Sequence, residues 1–202
     1  GVVKEKKLSL AVDNMLLFRS VQLLQHVHQQ NYSTAFFCNI SADTFGDKKF
    51  LSEFIEYLEV NRQMAPCLVF QLSQADLAAR ADETDQDLQR LVNVGYRLCM
   101  NRITDLNFDP LGLSQIGFRF VKVQADDFLG KKGEHAHESI QALKKSLDDT
   151  GIDLIIDGIE TEQALIELLD FNIDLGQGYL FGEPRINKLT EGSSRTPELR
   201  IV

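Results

Sequence analysis

Y96-R-L-C-M-N-R102 reads as a short buried strand that stops on an amide and a guanidinium. Leu98, Cys99 and Met100 form its apolar body, Gly95 precedes it, and the chain turns polar at Asn101 and Arg102. Working outward, the same pattern recurs in T34-A-F-F-C-N-I40, C67-L-V-F-Q-L72, F118-R-F-V-K-V123 and L154-I-I-D157, with a shorter run about Gly178 to Phe181. Each is close to the usual strand length of about 5–6 residues and is bounded by polar residues or glycine.

Helical patterns separate these runs. Asp13 is expected to cap a helix to about Gln29, with Leu16, Ser20, Leu23 and Val27 on one face. Phe50, Phe54, Tyr57 and Leu58 mark a second helix, and Leu88, Leu91 and Val92 a third that Gly95 ends. Two more are expected at Glu138 to Leu147 and Glu160 to Asp170, the second opening on acidic residues that suit a helix N-terminus. Strands alternating with helices predict an α/β fold with a parallel sheet, and nearly continuous apolar strands predict burial on both faces. A TIM-like (β/α) barrel is preferred over an open doubly wound sheet, because no glycine-rich phosphate fingerprint is present.

The 202 residues suffice for one core: 44% are hydrophobic and 25% charged, the profile of a globular domain. A net charge of -9 argues against nucleic acid or an anionic membrane as a general partner. It still allows a compact anion held by a few placed cations. Cys38, Cys67 and Cys99 all sit in apolar runs and are expected to be buried free thiols, consistent with a reducing, cytoplasmic setting. No apolar run approaches the roughly 18 residues of a membrane helix. The opening GVVKEKK has neither an initiator Met nor a signal-peptide core, so the chain is read as a fragment. Any inner-membrane tether is expected only in segments upstream of it. The domain is expected over residues 1–186, with 187–202 as a C-terminal tail.

The informative residues end the strands: Asn39, Gln71, Asn101 with Arg102, Lys122 with Gln124, Asp157, and Gln177. In a parallel barrel these ends share one rim, where sites are built. One polar strand end is ordinary; six at one rim suggest a site. His135 and His137, two apart in G-E-H-A-H-E, read as an exposed loop before a helix rather than metal ligands, and His26 and His28 do not share a helix face.

Here a resemblance enters. The segments I-I-D-G-I-E-T-E-Q-A-L (Ile155 to Leu165) and Q-G-Y-L-F-G-E-P (Gln177 to Pro184) resemble the A-E-G-V-E-T and Q-G-Y-x-F-x-x-P segments of the EAL domain, a barrel family that hydrolyses cyclic di-GMP. C38-N-I-S41 is similar to its N-L-S, F120-V-K-V123 to its Y-L-K-I, and L68-V-F-Q-L-S-Q74 to its L-V-L-E-I-T-E; F50-L-S-E-F-I-E-Y-L58 runs in register. The match runs in order from about Ala11 to Pro184, and the family's opening strands, with the Glu-Ala-Leu signature, have no counterpart.

The resemblance implies an EAL-type barrel lacking its first strands in this chain, and a site at Asn39, Arg102, Lys122, Asp157, Glu160, Gln177, Phe181 and Pro184. It also marks departures. The family's metal-binding Glu is Gln71, its Asp-Asp pair is Asn101-Arg102, its Asp after the Lys is Gln124, and its A-E-G Glu is shortened to Asp157. The glycine-rich loop behind the pair is I-T-D-L-N-F-D-P, from Ile103 to Pro110. Enzymes of the family use divalent metal ions held by these carboxylates, and such hard cations want anionic oxygens. The expectation is therefore a catalytically inactive, metal-free domain, a cyclic di-GMP receptor and regulatory module with a regulatory protein partner, with a homodimer as a further expectation. The loss of carboxylates is similar to that in TipF-like regulators of flagellar assembly, which points to motility. A ligand-free interaction scaffold and a residual phosphodiesterase are the alternatives. Three residues keep a bland reading beside the site reading: Arg102 in a salt bridge to Asp157 or Glu160, Phe181 in the core, and Glu160 as a helix N-terminal residue.

Overall fold

The computed structural model describes residues 2–29, 35–79, 85–130, 136–173 and 175–183. Strands β1 (Phe36–Asn39), β2 (Leu68–Ser73), β3 (Arg97–Asn101), β4 (Phe118–Gln124), β5 (Asp153–Asp157) and β6 (Leu175–Gly176) form one sheet in that order, every neighbouring pair parallel. The sheet curls into a half-barrel, the arrangement of an EAL-type (β/α) barrel fragment. Helix α1 (Val2–Gln29) precedes it. Between β1 and β2 lie α2 (Ala42–Gly46), α3 (Lys48–Val60) and a 3-10 turn at Arg62–Cys67, and α4 (Gln74–Ala79) and α5 (Asp85–Val94) follow β2. Helix α6 (Pro110–Ile116) follows β3, α7 (Ala125–Leu129) and α8 (Ala136–Thr150) follow β4, and α9 (Glu162–Leu169) follows β5.

Alternation along each strand sorts side chains between two faces. Cys38, Phe70, Leu72, Leu98, Met100, Val121, Val123, Leu154 and Ile156 point to the helices and join the main core. Phe70 packs between Phe54 and Tyr96, ring centroids 6.1 and 5.5 Å away. The Tyr96 hydroxyl, shut off from water, donates to the carbonyls of Leu58 and Asn61, each at 3.2 Å, and burial pushes its pKa up to about 12. On the concave face, Val69, Cys99, Phe120 and Ile155 form a second, smaller cluster with Phe37 and Leu175.

Several sequence expectations shift. Helix α1 begins at Val2, so Asp13 is inside it; its carboxylate accepts the Ser41 hydroxyl at 3.2 Å and ties α1 to the cap of α2. The buried face of α1 is Leu17, Val21 and Leu24, whereas Leu16 and Leu23 are exposed. Two apolar stripes run along this helix, and periodicity alone does not say which meets the sheet. Cys67 ends the 3-10 turn and is half-buried, while Cys38 and Cys99 are buried.

The last strand is Leu175–Gly176, and Tyr179–Phe181 forms a 3-10 turn instead. The cause is close backbone packing: a Cβ on Gly178 would lie 2.1 Å from the Ile159 carbonyl oxygen. Gly95 ends α5 at φ +109°, a left-handed turn that favours glycine. Pro184, His135 and the tail 187–202 lie outside the described residues, as do the side chains of Val27, His28 and His137.

Candidate ligand site at the strand ends

Parallel register brings the polar strand ends together. Asn39 is paired with Gln71, Ser73 with Asn101, and Gln124 with Asp157. Since Val69 and Cys99 face the concave side, Gln71 and Asn101 two residues further on face it as well. The Asn39 side-chain oxygen accepts from the Asn101 amide at 3.1 Å and from the Gln71 amide at 3.4 Å. The Gln71 oxygen in turn accepts the Cys99 S–H at 3.8 Å. Burial pushes the Cys99 thiol up to about 12, with the Lys122 charge pulling weakly the other way. Gln71 and Asn101 are buried and Asn39 is exposed, so the trio forms a neutral, self-satisfied floor.

Lys122 is 8% exposed. Its ammonium donates to the Gln177 side-chain oxygen at 3.0 Å and lies 4.8 Å from the centroid of the Phe37 ring. Three donors on one buried cation, met by one neutral acceptor and a π face, leave hydrogen-bonding capacity that an anion could take up. Gln177 reaches this position because its segment lies across the end of β5. The Gln177 N–H donates to Ile156 at 2.8 Å, and its carbonyl accepts from Ile159 at 3.0 Å. That backbone contact is what the glycine at 178 permits.

Of the remaining candidates, Asp157 ends β5, Glu160 follows it and Phe181 follows β6. Asp157 is half-buried and accepts from Gln124 at 3.3 Å and from the Gly158 N–H at 3.0 Å. Glu160 is exposed just outside α9, whose cap is Thr161, accepting from the Ala164 N–H at 3.2 Å. Phe181 is 46% exposed and so is not a core residue.

Arg102 is exposed, and among the described residues it makes no salt bridge to Asp157, Glu160 or any other carboxylate. Its φ of +48° places a non-glycine residue in the left-handed region, a conformation that costs of order 1 kcal/mol or more and persists only where surroundings enforce it. Gln74 holds the loop that follows, and reading by strand ends missed it although it closes the L68-to-Q74 segment. Its oxygen accepts the N–H groups of Thr104 and Asp105, both at 3.0 Å, while its amide donates to the Asp105 carbonyl at 2.7 Å. An amide side chain that both accepts and donates can clamp a loop through its backbone alone, which no sequence period announces.

The floor thus combines neutral amides with one buried ammonium, and the exposed Arg102 directly follows Asn101 at the end of β3. That chemistry suits an anionic ligand better than a hard cation. Among the described residues no three His, Cys, Asp or Glu side chains are grouped as a metal site.

The EAL domain family model matches residues 2–184. Among solved structures, the S helix-GGDEF-EAL portion of LapD from Vibrio cholerae bound to c-di-GMP is similar at a TM-score of 0.73 and 17% identity, covering 87% of this chain and 43% of that one. The FimX EAL domain from Pseudomonas aeruginosa bound to c-di-GMP gives 0.71 and 21%, with 88% and 72% covered. The MucR phosphodiesterase in complex with c-di-GMP gives 0.74 and 15%, with 91% and 80% covered. These are likenesses of fold, and the chain spans less than half of the LapD structure. No curated protein sequence matches the chain.

Proposed function

Because the chain belongs to the EAL domain family, we propose that it is a catalytically inactive, metal-free receptor for cyclic di-GMP that relays occupancy to a regulatory protein. The observation that supports this most is the amide floor. Asn39 accepts from both Gln71 and Asn101, and at the last two positions the resemblance expects carboxylates that hold divalent ions. An arginine beside that floor opposes a metal: two unit charges about 4 Å apart interact by about 4 kcal/mol at an effective dielectric of 20. With no metal to activate a water, Lys122 alone supplies no nucleophile for hydrolysis.

Binding needs no metal. In this reading Arg102 forks onto one phosphate and the ammonium of Lys122 takes another oxygen of the same group. Phe181 and Pro184 lie along a guanine, and Asn39, Asp157, Glu160 and Gln177 complete the contacts. The domain ends near residue 186, with 187–202 as its tail. The module acts in motility or flagellar control and in the cytoplasm, tethered to the inner membrane, if at all, by segments outside this chain.

Titration calorimetry of cyclic di-GMP in EDTA tests the reading. Binding is expected, weakened at least tenfold by Arg102→Ala. No heat at high micromolar ligand favours a ligand-free scaffold, and a linear product in Mg²⁺ or Mn²⁺ restores the phosphodiesterase.

A further inference from the structure

Helix α1 has a second apolar face that is exposed among the described residues. Leu17, Val21 and Leu24 are 0–2% exposed against the sheet. On the opposite side Val12, Met15, Leu16 and Leu23 are 41%, 56%, 55% and 40% exposed. At about 100° per residue the two sets are centred well over 100° apart, so no single neighbour covers both. Val12, Leu16, Arg19 and Leu23 follow one another at steps of four, three and four, the spacing of a heptad seam. Such a seam is shaped for another helix carrying the same repeat.

We infer that this face pairs two copies of the chain through an antiparallel contact of α1 with its own counterpart. The seam is self-complementary, as a two-fold interface requires. Arg19 decides the direction. A parallel, in-register pair would stack Arg19 on Arg19 inside the seam. An antiparallel pair centred between Leu16 and Arg19 sets Val12 against Leu23 and Leu16 against the apolar stem of Arg19, whose guanidinium then reaches solvent. Met15 flanks the seam with an adaptable side chain. The surface lies on the helix side of β1, away from the amide floor, and rests on no assumption about ligand; calorimetry and self-association can therefore fail independently.

Sedimentation velocity of the whole chain is expected to show a concentration-dependent monomer–dimer equilibrium. Leu16→Lys with Leu23→Lys should abolish it while leaving the circular dichroism melt unchanged, since both sites are exposed. In a Cys67→Ser background, Leu16→Cys mixed with Arg19→Cys should oxidise mainly to the mixed disulfide dimer. A wild-type monomer at several hundred micromolar, or a dimer that survives both lysines, overturns the interface. Preferential Leu16→Cys homodimers overturn its antiparallel direction.

Discussion

On the convex face of the sheet Phe70 and Leu98 are wholly enclosed by helices, whereas the next residues along the same strands, Gln71 and Cys99, meet each other across the concave face. The helix side is built from interchangeable apolar volume. The concave side is built from specific polar partners, and only there does an exchanged atom change the chemistry. One strand therefore carries two kinds of constraint at alternate positions: packing density on one side and hydrogen-bond satisfaction on the other.

The contrast can be broken most forcefully at Phe70. Phe70→Ala removes a ring held between Phe54 and Tyr96, and denaturant unfolding is expected to show a loss of about 3–5 kcal/mol. A loss under about 1 kcal/mol would mean the convex face tolerates voids as the rim tolerates exchange. Next in size is Gln74→Ala, which removes four loop hydrogen bonds. Global stability is expected to fall by roughly 1–3 kcal/mol, with amide exchange accelerating locally at Thr104 and Asp105. Unchanged exchange there would show that the loop holds itself.

Arg102→Gly sharpens the comparison by separating stability from ligand chemistry. It releases the strain of φ +48° against glycine's greater unfolded entropy, so stability should stay level or rise by up to about 1 kcal/mol. Cyclic di-GMP binding should weaken as in Arg102→Ala; a clear loss of stability would mark Arg102 as structural.

The smallest effect concerns pH. Cys99 is raised from 9.0 to about 12 and Tyr96 from 10.0 to about 12, so each binds its proton more tightly in the folded chain. Their contribution is fully present below pH 9 and is lost as pH rises from 9 through 12. Melting temperature should accordingly be insensitive to these groups near neutrality and fall above pH 9, less steeply in Cys99→Ala. Thiol titration of the native chain near neutral pH should label Cys67 before Cys38 or Cys99.

Strand positions are legible in the sequence because apolar runs with polar ends are a local property: β2 to β5 lie within a residue of their expected bounds. The ends of the fold are less so. Gly178 to Phe181 carries the composition of a strand, yet its backbone is pressed onto Ile159, and that contact forms only when the chain returns to β5. The inner face of α1 escapes a reading by period because both of its faces are apolar.

For the candidate site, residue types at Asn39, Gln71, Asn101, Arg102 and Lys122 already state its charge: amides and cations. Composition at a position is a one-dimensional fact and survives without coordinates. Tertiary structure alone decides the pairings. Asn39 joins Gln71 and Asn101 across 32 and 62 residues, and Lys122 meets Gln177 across 55. Arg102, being exposed, stands without the carboxylate partner among the described residues that a buried charge would need. Those outcomes depend on parallel register and on a backbone crossing at Gly178, which arise only when distant segments share one sheet.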